Sequence, residues 1–313
     1  MYQHTTTPFG KYEKHSLANE ASGNRIELVP GFGSCVLNIE LQGQPLLDGY
    51  TSAEEMNINR WAKNVLLFPF PNRLMEGRYR WEGKAYEFPV NDGQTGNALH
   101  GFGMNAAMQV EKAEASEQEA SISCACHYNG QLNHYPFPFR FEVSFRIANP
   151  GTIDVTFRVH NSGNGPIPFG MGWHPYFRLS GQVDDVAMQL PPCDMIGVDQ
   201  VMIPTGKHYE YTTFTQLRRI GPEVLDNCFA LRQQEEQIEI ILRGEKGELQ
   251  YWQEVGPGKF GYLQLFTPHY RNALAVEPMS CNIDAFNNGD GLIRLEPGEE
   301  ASARFGFSFV HRS

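Results

Sequence analysis

A histidine set among aromatic residues is the most chemically suggestive feature of this 313-residue chain. In the stretch GMGWHPYFRL, His174 follows Trp173 and precedes Tyr176 and Phe177, and Pro175 restricts the histidine to an extended backbone. Aromatic faces cover the apolar C–H side of a sugar ring, and an imidazole passes a proton near neutral pH. The stretch therefore predicts a pocket for a flat, polar molecule such as a sugar. The alternative for a single histidine is a core position, with its ring bonded to a backbone carbonyl.

Four more polar groups lie outside the strand-like parts of the chain, in the segments 71–73, 97–103, 226–229 and 275–287. Arg73 would offer the donor fork of its guanidinium to a ligand, unless it is an ordinary surface arginine. His100 lies among glycines that let a backbone approach a ligand closely, although an ordinary loop has the same composition. The Asp226 carboxylate would accept two sugar hydroxyls or cap a turn. Glu277 directly follows the apolar run 273–276, which places it at a strand end as an ion-pair partner or a catalytic base.

Alternation of apolar and polar residues predicts that β-strands carry these groups. Residues 139–147 and 153–159 indicate a hairpin of two long strands, each with one buried face. Residues 303–309 repeat the pattern after a tight turn at 295–299, and shorter strands are predicted at 25–29, 36–41, 109–115, 121–128, 238–242, 249–252 and 262–267. No long amphipathic helix is visible, residues 191–216 indicate a long irregular loop with stray strand, and the first dozen residues are expected to be loose. The predicted fold class is all-β, a large antiparallel β-sandwich.

Composition and charge restrict the function classes. The 25 basic and 36 acidic residues give a formal net charge of −11, which argues against nucleic acid and anionic membranes as partners. The six cysteines are scattered and are typical of reduced cytosolic thiols, and no apolar run is long enough to span a membrane. Metal-ligand spacings such as HExxH are missing, so no metal is predicted. We expect one domain over residues 1–313 and a cytoplasmic location; His134 and His269 have no predicted role.

Taken in order, these motifs resemble the aldose 1-epimerase (galactose mutarotase) family over nearly the whole chain. The segment NRLMEGRYRWEGKAYEFPVND followed by ALHG, then HPYF, DNCF, LQLFT and VEPMSCNIDAFN, matches six family motifs. The resemblance implies a galactose mutarotase-like β-sandwich with a sugar cleft on one sheet. It implies His174 as the acid and Glu277 as the base. It also implies a set of sugar-binding residues, namely Asn72, Arg73, His100, Asp226 and Gln264.

The implied reaction interconverts the α and β anomers of a free aldose without a cofactor. A base takes the anomeric hydroxyl proton, an acid protonates the ring oxygen, and the open chain recloses after rotation; we expect acid and base on opposite sides of the ring. Family mutarotases usually have LHGG and ETQ where this chain has HGF and EPM, and HGF resembles the hexose-6-phosphate epimerase branch. A hexose-6-phosphate 1-epimerase, a non-catalytic sugar-binding protein and an unrelated sandwich remain alternatives. A small sugar is the expected partner, and the chain is expected to be a monomer or homodimer.

Overall fold

The computed structural model describes residues 1–232 and 236–312. Within these residues the first strands are β1 (Gln3–Phe9), β2 (Tyr12–Asn19), β3 (Asn24–Val29), β4 (Cys35–Leu41), β5 (Gln44–Pro45), β6 (Leu66–Leu67), β7 (Arg73–Leu74), β8 (Arg78–Trp81), β9 (Lys84–Glu87) and β10 (Ala98–Leu99). The central strands are β11 (Gln109–Ala115), β12 (Glu119–Tyr128), β13 (Phe139–Ala148), β14 (Thr152–Asn161), β15 (Ile167–Phe169), β16 (Gly172–Trp173), β17 (Tyr176–Phe177), β18 (Ala187–Gln189) and β19 (Cys193–Val198).

The remaining strands are β20 (Pro204–Tyr211), β21 (Arg218–Arg219), β22 (Asp226–Leu231), β23 (Gln237–Arg243), β24 (Gly247–Glu254), β25 (Tyr262–Phe266), β26 (Leu274–Met279), β27 (Ile293–Leu295) and β28 (Glu300–His311). The α-helices are short, α1 (Ala53–Ile58) and α2 (Ala285–Asn288), and single 3-10 turns occupy Arg60–Ala62, Met75–Gly77, Gly103–Asn105 and Val183–Asp185. Among the described residues, no helix has the length and apolar character needed to cross a membrane.

Two large sheets dominate the fold. One has nine strands in the order β11-β12-β13-β14-β28-β24-β23-β18-β21. The other follows the order β20-β19-β22-β25-β26-β16-β6, with β17 pairing with β26 as its eighth strand. The N-terminal strands form a third, five-stranded sheet in sequence order. The predicted all-β class is confirmed, and the pairs within the two large sheets are antiparallel as expected.

The long hairpin of β13 and β14 shows why the sequence folds this way. The two strands pair antiparallel with Phe145 opposite Val155 and Ile147 opposite Ile153, and all four side chains are fully buried. Because successive side chains on a strand point to opposite faces, the apolar half of the alternation is buried and the charged half is not. The last strand, β28, pairs with β14 in the same sheet and extends its buried face, with Phe305 opposite Val155.

The hydrophobic core lies between the two large sheets. On the second sheet Trp173 and Phe177 point inward, and each meets a phenylalanine of β28. The Trp173 ring stacks on Phe305 at a centroid distance of 5.4 Å, and Phe177 meets Phe307 edge to face at 5.2 Å. Such aromatic pairs add about 0.5–1.5 kcal/mol beyond the area they bury. This packing fixes the position of the second sheet, whose outer face is left to carry polar groups.

The structure corrects two of the sequence predictions. Residues 191–216 are not an irregular loop, because they form β19 and β20, an antiparallel pair at the edge of the second sheet. The first dozen residues are not loose, because β1 pairs with β2 from Gln3 to Phe9. Strands β1 and β20 carry mostly exposed residues, so the apolar alternation that identifies half-buried strands is weak in them. The predicted shorter strands and the turn before β28 are confirmed.

Candidate functional site

A cavity of about 400 Å³ opens on the outer face of the second sheet. All seven residues that the sequence singled out as site residues line it, although they come from six separate parts of the chain. They are Asn72, Arg73, His100, His174, Asp226, Gln264 and Glu277. The structure therefore brings the whole predicted set together.

Three neighbouring strands supply the floor of this cavity. Asp226 begins β22, Gln264 is in β25 and Glu277 is in β26. Gln264 pairs directly with Glu277 across the ladder, and Asp226 pairs with Phe266. Their apolar sequence neighbours, Leu225, Leu263, Leu265 and Val276, belong to the core between the sheets, so alternation places the three polar side chains together on the opposite face.

The position of Glu277 differs from the sequence prediction. It is the fourth of the six residues of β26, and therefore lies inside a strand rather than at a strand end. All six residues of this strand are buried, and Glu277 is only 1% exposed. A carboxyl group at such a position loses nearly all of its hydration, which is costly for the charged form.

His174 lies directly beside this carboxyl group. Its Nε2 is 3.4 Å from Oε1 of Glu277, and both side chains are almost fully buried. The two other polar atoms of the pair, Nδ1 of His174 and Oε2 of Glu277, are buried without a hydrogen-bond partner among the described residues. The two groups face one another directly, and the side of a sugar ring that each would meet stays a prediction.

Burial sets the protonation of the pair. It raises the pKa of the Glu277 carboxyl well above its usual value; the Asp226 carboxylate raises it further and Arg73 opposes the rise. Burial also lowers the pKa of the His174 imidazole to about 3. Both shifts disfavour charge in a site that excludes water. Burial therefore favours the uncharged arrangement of the pair, with the proton on Glu277.

The aromatic residues around His174 do not all line the cavity as the sequence suggested. Tyr176 does, and its ring is parallel to the His174 imidazole, with a centroid distance of 4.9 Å and an interplanar angle of 5°. Trp173 and Phe177 instead point into the core between the sheets. The period of two explains the difference, because residues on either side of His174 along an extended chain face the other way.

The short ladder of β7 and β10 brings in a second group of side chains. Leu99 pairs with Arg73, so that His100 follows at the cavity wall, where the backbone N–H of Asn72 donates to Nδ1 of His100 at 3.1 Å. This bond leaves the proton of the neutral imidazole on Nε2. Burial lowers the pKa of His100 well below its usual value, and His174 and Arg73 lower it further. His100 is thus a neutral donor.

The glycine after His100 was predicted to let the backbone approach a ligand, but the structure shows a different contact. Gly101 has a φ of +62°, and a Cβ on it would lie 2.4 Å from the carbonyl oxygen of Phe68. The close approach is therefore to another backbone segment and not to a ligand. His100 itself has a φ of +64° and Asn72 a φ of +57°, so both are held in the left-handed region. Such conformations cluster at functional sites, where the surroundings impose them.

A chain of hydrogen bonds joins the floor to the wall. Nδ2 of Asn72 donates to Oε1 of Gln264 at 3.2 Å, and Nε2 of Gln264 donates to Oδ1 of Asp226 at 2.9 Å. Burial raises the pKa of Asp226, while Arg73 and the bond from Gln264 hold it down. These bonds fix the amide of Gln264 in one orientation, so its oxygen points towards Asn72 and its nitrogen towards Asp226.

Comparison with known proteins identifies the fold and the family. The family model described as aldose 1-epimerase matches residues 16–308. The chain belongs to the aldose 1-epimerase family. Its relatives include YihR of Escherichia coli K12, which is 28% identical over 292 residues, 89% of this chain and 88% of that protein. Galactose mutarotase of Rattus norvegicus is 26% identical over 141 residues, 43% of this chain and 39% of that protein.

Solved structures share the architecture. A galactose mutarotase-like protein of Clostridium acetobutylicum superposes with a TM-score of 0.87 at 17% identity, covering 100% of this chain and 99% of its own. Galactose 1-epimerase of Lactobacillus acidophilus gives a TM-score of 0.83 at 16% identity, over 100% and 99% of the two chains. The galactose mutarotase-like β-sandwich predicted from the sequence is thereby confirmed.

This member of the aldose 1-epimerase family has cavity residues that the sequence did not single out. Asp92 accepts a hydrogen bond from Nε of Arg73 at 3.0 Å and another from the Thr95 hydroxyl at 2.7 Å. Burial opposes ionisation of Asp92, but the bonds from Thr95 and Arg73 outweigh it and lower the pKa. Trp61 and Phe266 supply the aromatic wall at the cavity mouth. Neither Asp92 in its polar loop nor Trp61 in an irregular segment has a local signal that marks it as a site residue.

The two histidines without a predicted role lie outside the cavity lining of this family member. His134 packs against Phe88 at a centroid distance of 4.6 Å. His269 is exposed and packs against Trp61 at 5.1 Å, which places it near the cavity mouth. The cytoplasmic location, the single domain and the monomer or homodimer stay predictions.

Proposed function

We propose that this protein is an aldose 1-epimerase that interconverts the α and β anomers of a free aldose, with Glu277 as base and His174 as acid. The contact of Nε2 of His174 with Oε1 of Glu277, inside a cavity lined by five further polar site residues, carries this proposal. A site that only binds a sugar has no need for a buried pair of proton-transfer groups, because burying ionisable groups is costly.

The chemistry requires two proton transfers at oxygens bonded to the same carbon. In ring opening, the Glu277 carboxylate takes the proton from the anomeric oxygen, whose electron pair forms the C=O bond. The bond from the anomeric carbon to the ring oxygen breaks, and the ring oxygen takes the proton from His174. Rotation about the C1–C2 bond and the reverse steps deliver the other anomer. An acid and a base in contact suit a reaction whose two oxygens share one carbon.

A single shared proton is enough for the whole cycle. Ring opening requires the shared proton on Nε2 of His174, which it reaches from Oε1 of Glu277 across their 3.4 Å contact, and it ends with the proton on Glu277. Ring closure runs the other way. The neutral arrangement that burial favours is the one from which ring closure starts. The pair therefore returns to its starting charge in every turnover, and no redox partner or external acid is required. Each positioned proton transfer is typically worth about 10²–10⁴-fold in rate.

The remaining site residues match the hydroxyl groups of a sugar. Arg73 and the Nε2–H of His100 are donors, and the Asp226 carboxylate is an acceptor. Gln264 and Asn72 hold the orientation of this set through their mutual bond. Tyr176, Trp61 and Phe266 supply the aromatic surface for the C–H face of the ring.

The charges in the cavity support a free sugar over a 6-phosphate. Among the described lining residues, Arg73 is the one arginine or lysine, and its guanidinium already donates to Asp92. The lining also carries the carboxyl groups of Asp92 and Asp226, beside the buried Glu277. Arg271 bonds to Asp184 instead, and Arg78, Arg80 and Arg178 are not among the lining residues. A phosphate dianion would meet more negative than positive charge.

The proposal is tested by anomer exchange measured by NMR or polarimetry on freshly dissolved α-D-galactose, α-D-glucose and glucose 6-phosphate. Spontaneous mutarotation without protein is the baseline. We expect acceleration of at least one free aldose well above that baseline. Faster turnover of glucose 6-phosphate than of either free sugar would overturn the free-sugar assignment. Binding of these and other aldoses without acceleration would show a sugar-binding protein instead.

A further inference from the structure

Asn64 is a fully buried residue that touches the His174 segment at three points. Its backbone N–H donates to the carbonyl of His174 at 2.8 Å, and its own carbonyl accepts from Nε1 of Trp173 at 3.1 Å. Its side-chain oxygen accepts from the backbone N–H of Tyr176 at 2.9 Å, while its Nδ2 donates to the carbonyl of Asp48. Every polar group of Asn64 therefore has a partner, and three of them hold the segment from Trp173 to Tyr176.

Tyr176 connects these bonds to the imidazole. Its N–H is held by Asn64, and its hydroxyl donates to the carbonyl of Trp61 at 2.8 Å, so the residue is fixed at both ends by the same neighbouring segment. The flat face of its ring lies against the His174 imidazole. A shift of Tyr176 would therefore move the surface on which the imidazole rests, and with it the 3.4 Å contact to Glu277.

The backbone of Asn64 also has an unusual conformation. Its φ is +56°, and Trp61 and Ala62 just before it have φ values of +73° and +50°. Asparagine tolerates the left-handed region better than most residues, and a run of such residues persists only where the surroundings impose it. Trp61 and Ala62 line the cavity, whereas Asn64 does not. The same strained segment thus forms one cavity wall and anchors the histidine.

We propose that Asn64 is a positioning residue that acts through Tyr176 to hold the His174 imidazole in line with Glu277. It touches no substrate atom, and its importance for turnover rests on the proposed epimerase function. A misplacement of about 1 Å at a catalytic group can lower the rate by about 100-fold. The polar sugar-binding side chains on β22 and β25 do not depend on these bonds, so substrate affinity is expected to change only through the Tyr176 ring and much less than turnover.

The test uses Asn64→Gly, because glycine adopts a φ of +56° without strain and keeps the main-chain bonds. It removes the acceptor for the N–H of Tyr176 and the donor to the carbonyl of Asp48, and nothing that lines the cavity. The matched control is Ser34→Gly, another fully buried residue with a left-handed φ, +50°, whose hydroxyl donates to Sδ of Met108 and lies outside the cavity lining. Both variants are checked for folding by thermal unfolding.

Two measurements follow. The first is kcat and KM on the fastest aldose, where we expect Asn64→Gly to lose about 10–100-fold in kcat with KM changed by less than about threefold. The second is the ¹⁵N chemical shifts of the His174 imidazole at fixed pH, assigned with His174→Gln. We expect these shifts to change in Asn64→Gly and to stay as in the wild type in Ser34→Gly.

The outcomes distinguish failure of the positioning role of Asn64 from failure of the proposed epimerase function. Wild-type kcat and unchanged imidazole shifts in a folded Asn64→Gly would overturn the positioning role, as would equal losses in both glycine variants. If the wild-type protein accelerates no aldose, the proposed function fails, yet the imidazole shifts still decide whether Asn64 positions His174.

Discussion

Replacement of Glu277 by glutamine is the most direct perturbation of the proposed chemistry. The amide has nearly the volume of the carboxyl group and fits a position that is 1% exposed, but it cannot accept the proton of the anomeric hydroxyl. Loss of a positioned base costs about 10²–10⁴-fold in rate, which is about 3–5 kcal/mol of transition-state stabilisation. KM should change little, because Arg73, His100 and Asp226 are untouched. The expected result is therefore a loss confined to kcat.

The assay is anomer exchange by NMR at several sugar concentrations, with the spontaneous rate subtracted. Glu254→Gln is the matched control, since it makes the same change at a carboxylate that pairs with Arg304 and Lys259 outside the cavity. A folded Glu277→Gln protein with kcat within about threefold of the wild type would refute the base assignment. A similar loss in Glu254→Gln would show that the effect is not specific to the cavity.

Three further predictions follow from the same geometry. His174→Ala should lose about 10²–10⁴-fold in kcat by single-turnover exchange, and an undiminished kcat would exclude His174 as the acid. Asp226→Asn, which keeps the side-chain size, should raise KM by about 10–100-fold because a charged hydrogen bond of about 1.5–3 kcal/mol is lost; steady-state kinetics would contradict this if only kcat fell. The third concerns stability. Because the pKa of Glu277 is raised in the folded state, its contribution is present below the unfolded pKa and is lost as pH rises towards the folded pKa. The free energy of unfolding of the wild type relative to Glu277→Gln should therefore fall with rising pH, by at most about 1.4 kcal/mol per unit, in denaturant titrations at pH 6, 7 and 8; a constant difference would show that Glu277 is ionised in the fold.

The sequence predicted the strands that form the core with good accuracy, because burial of one face imposes a period of two on the residues. The hairpin of 139–147 with 153–159 has the strongest alternation, and the structure pairs these two strands antiparallel with the apolar faces buried. The edge strands β1 and β20 were missed, since solvent on most sides removes the need for apolar residues. They are strands because they pair with β2 and β19, and the tertiary fold decides which strands pair.

The candidate site, like the strands, was predicted in part from the sequence and decided in part by the fold. Residue type and motif order alone indicated an imidazole, a carboxyl group and sugar-binding side chains at seven positions, and all seven line one cavity. Only the tertiary structure put Glu277 within a buried strand, turned Trp173 into the core and placed Asp92 beside Arg73. Side-chain identity determines what chemistry is available, and it is written in the sequence. Distance and burial determine which groups share a proton. Both are set by the tertiary structure, through the pairing of β22, β25 and β26 and the packing of the segment that Asn64 anchors beside them.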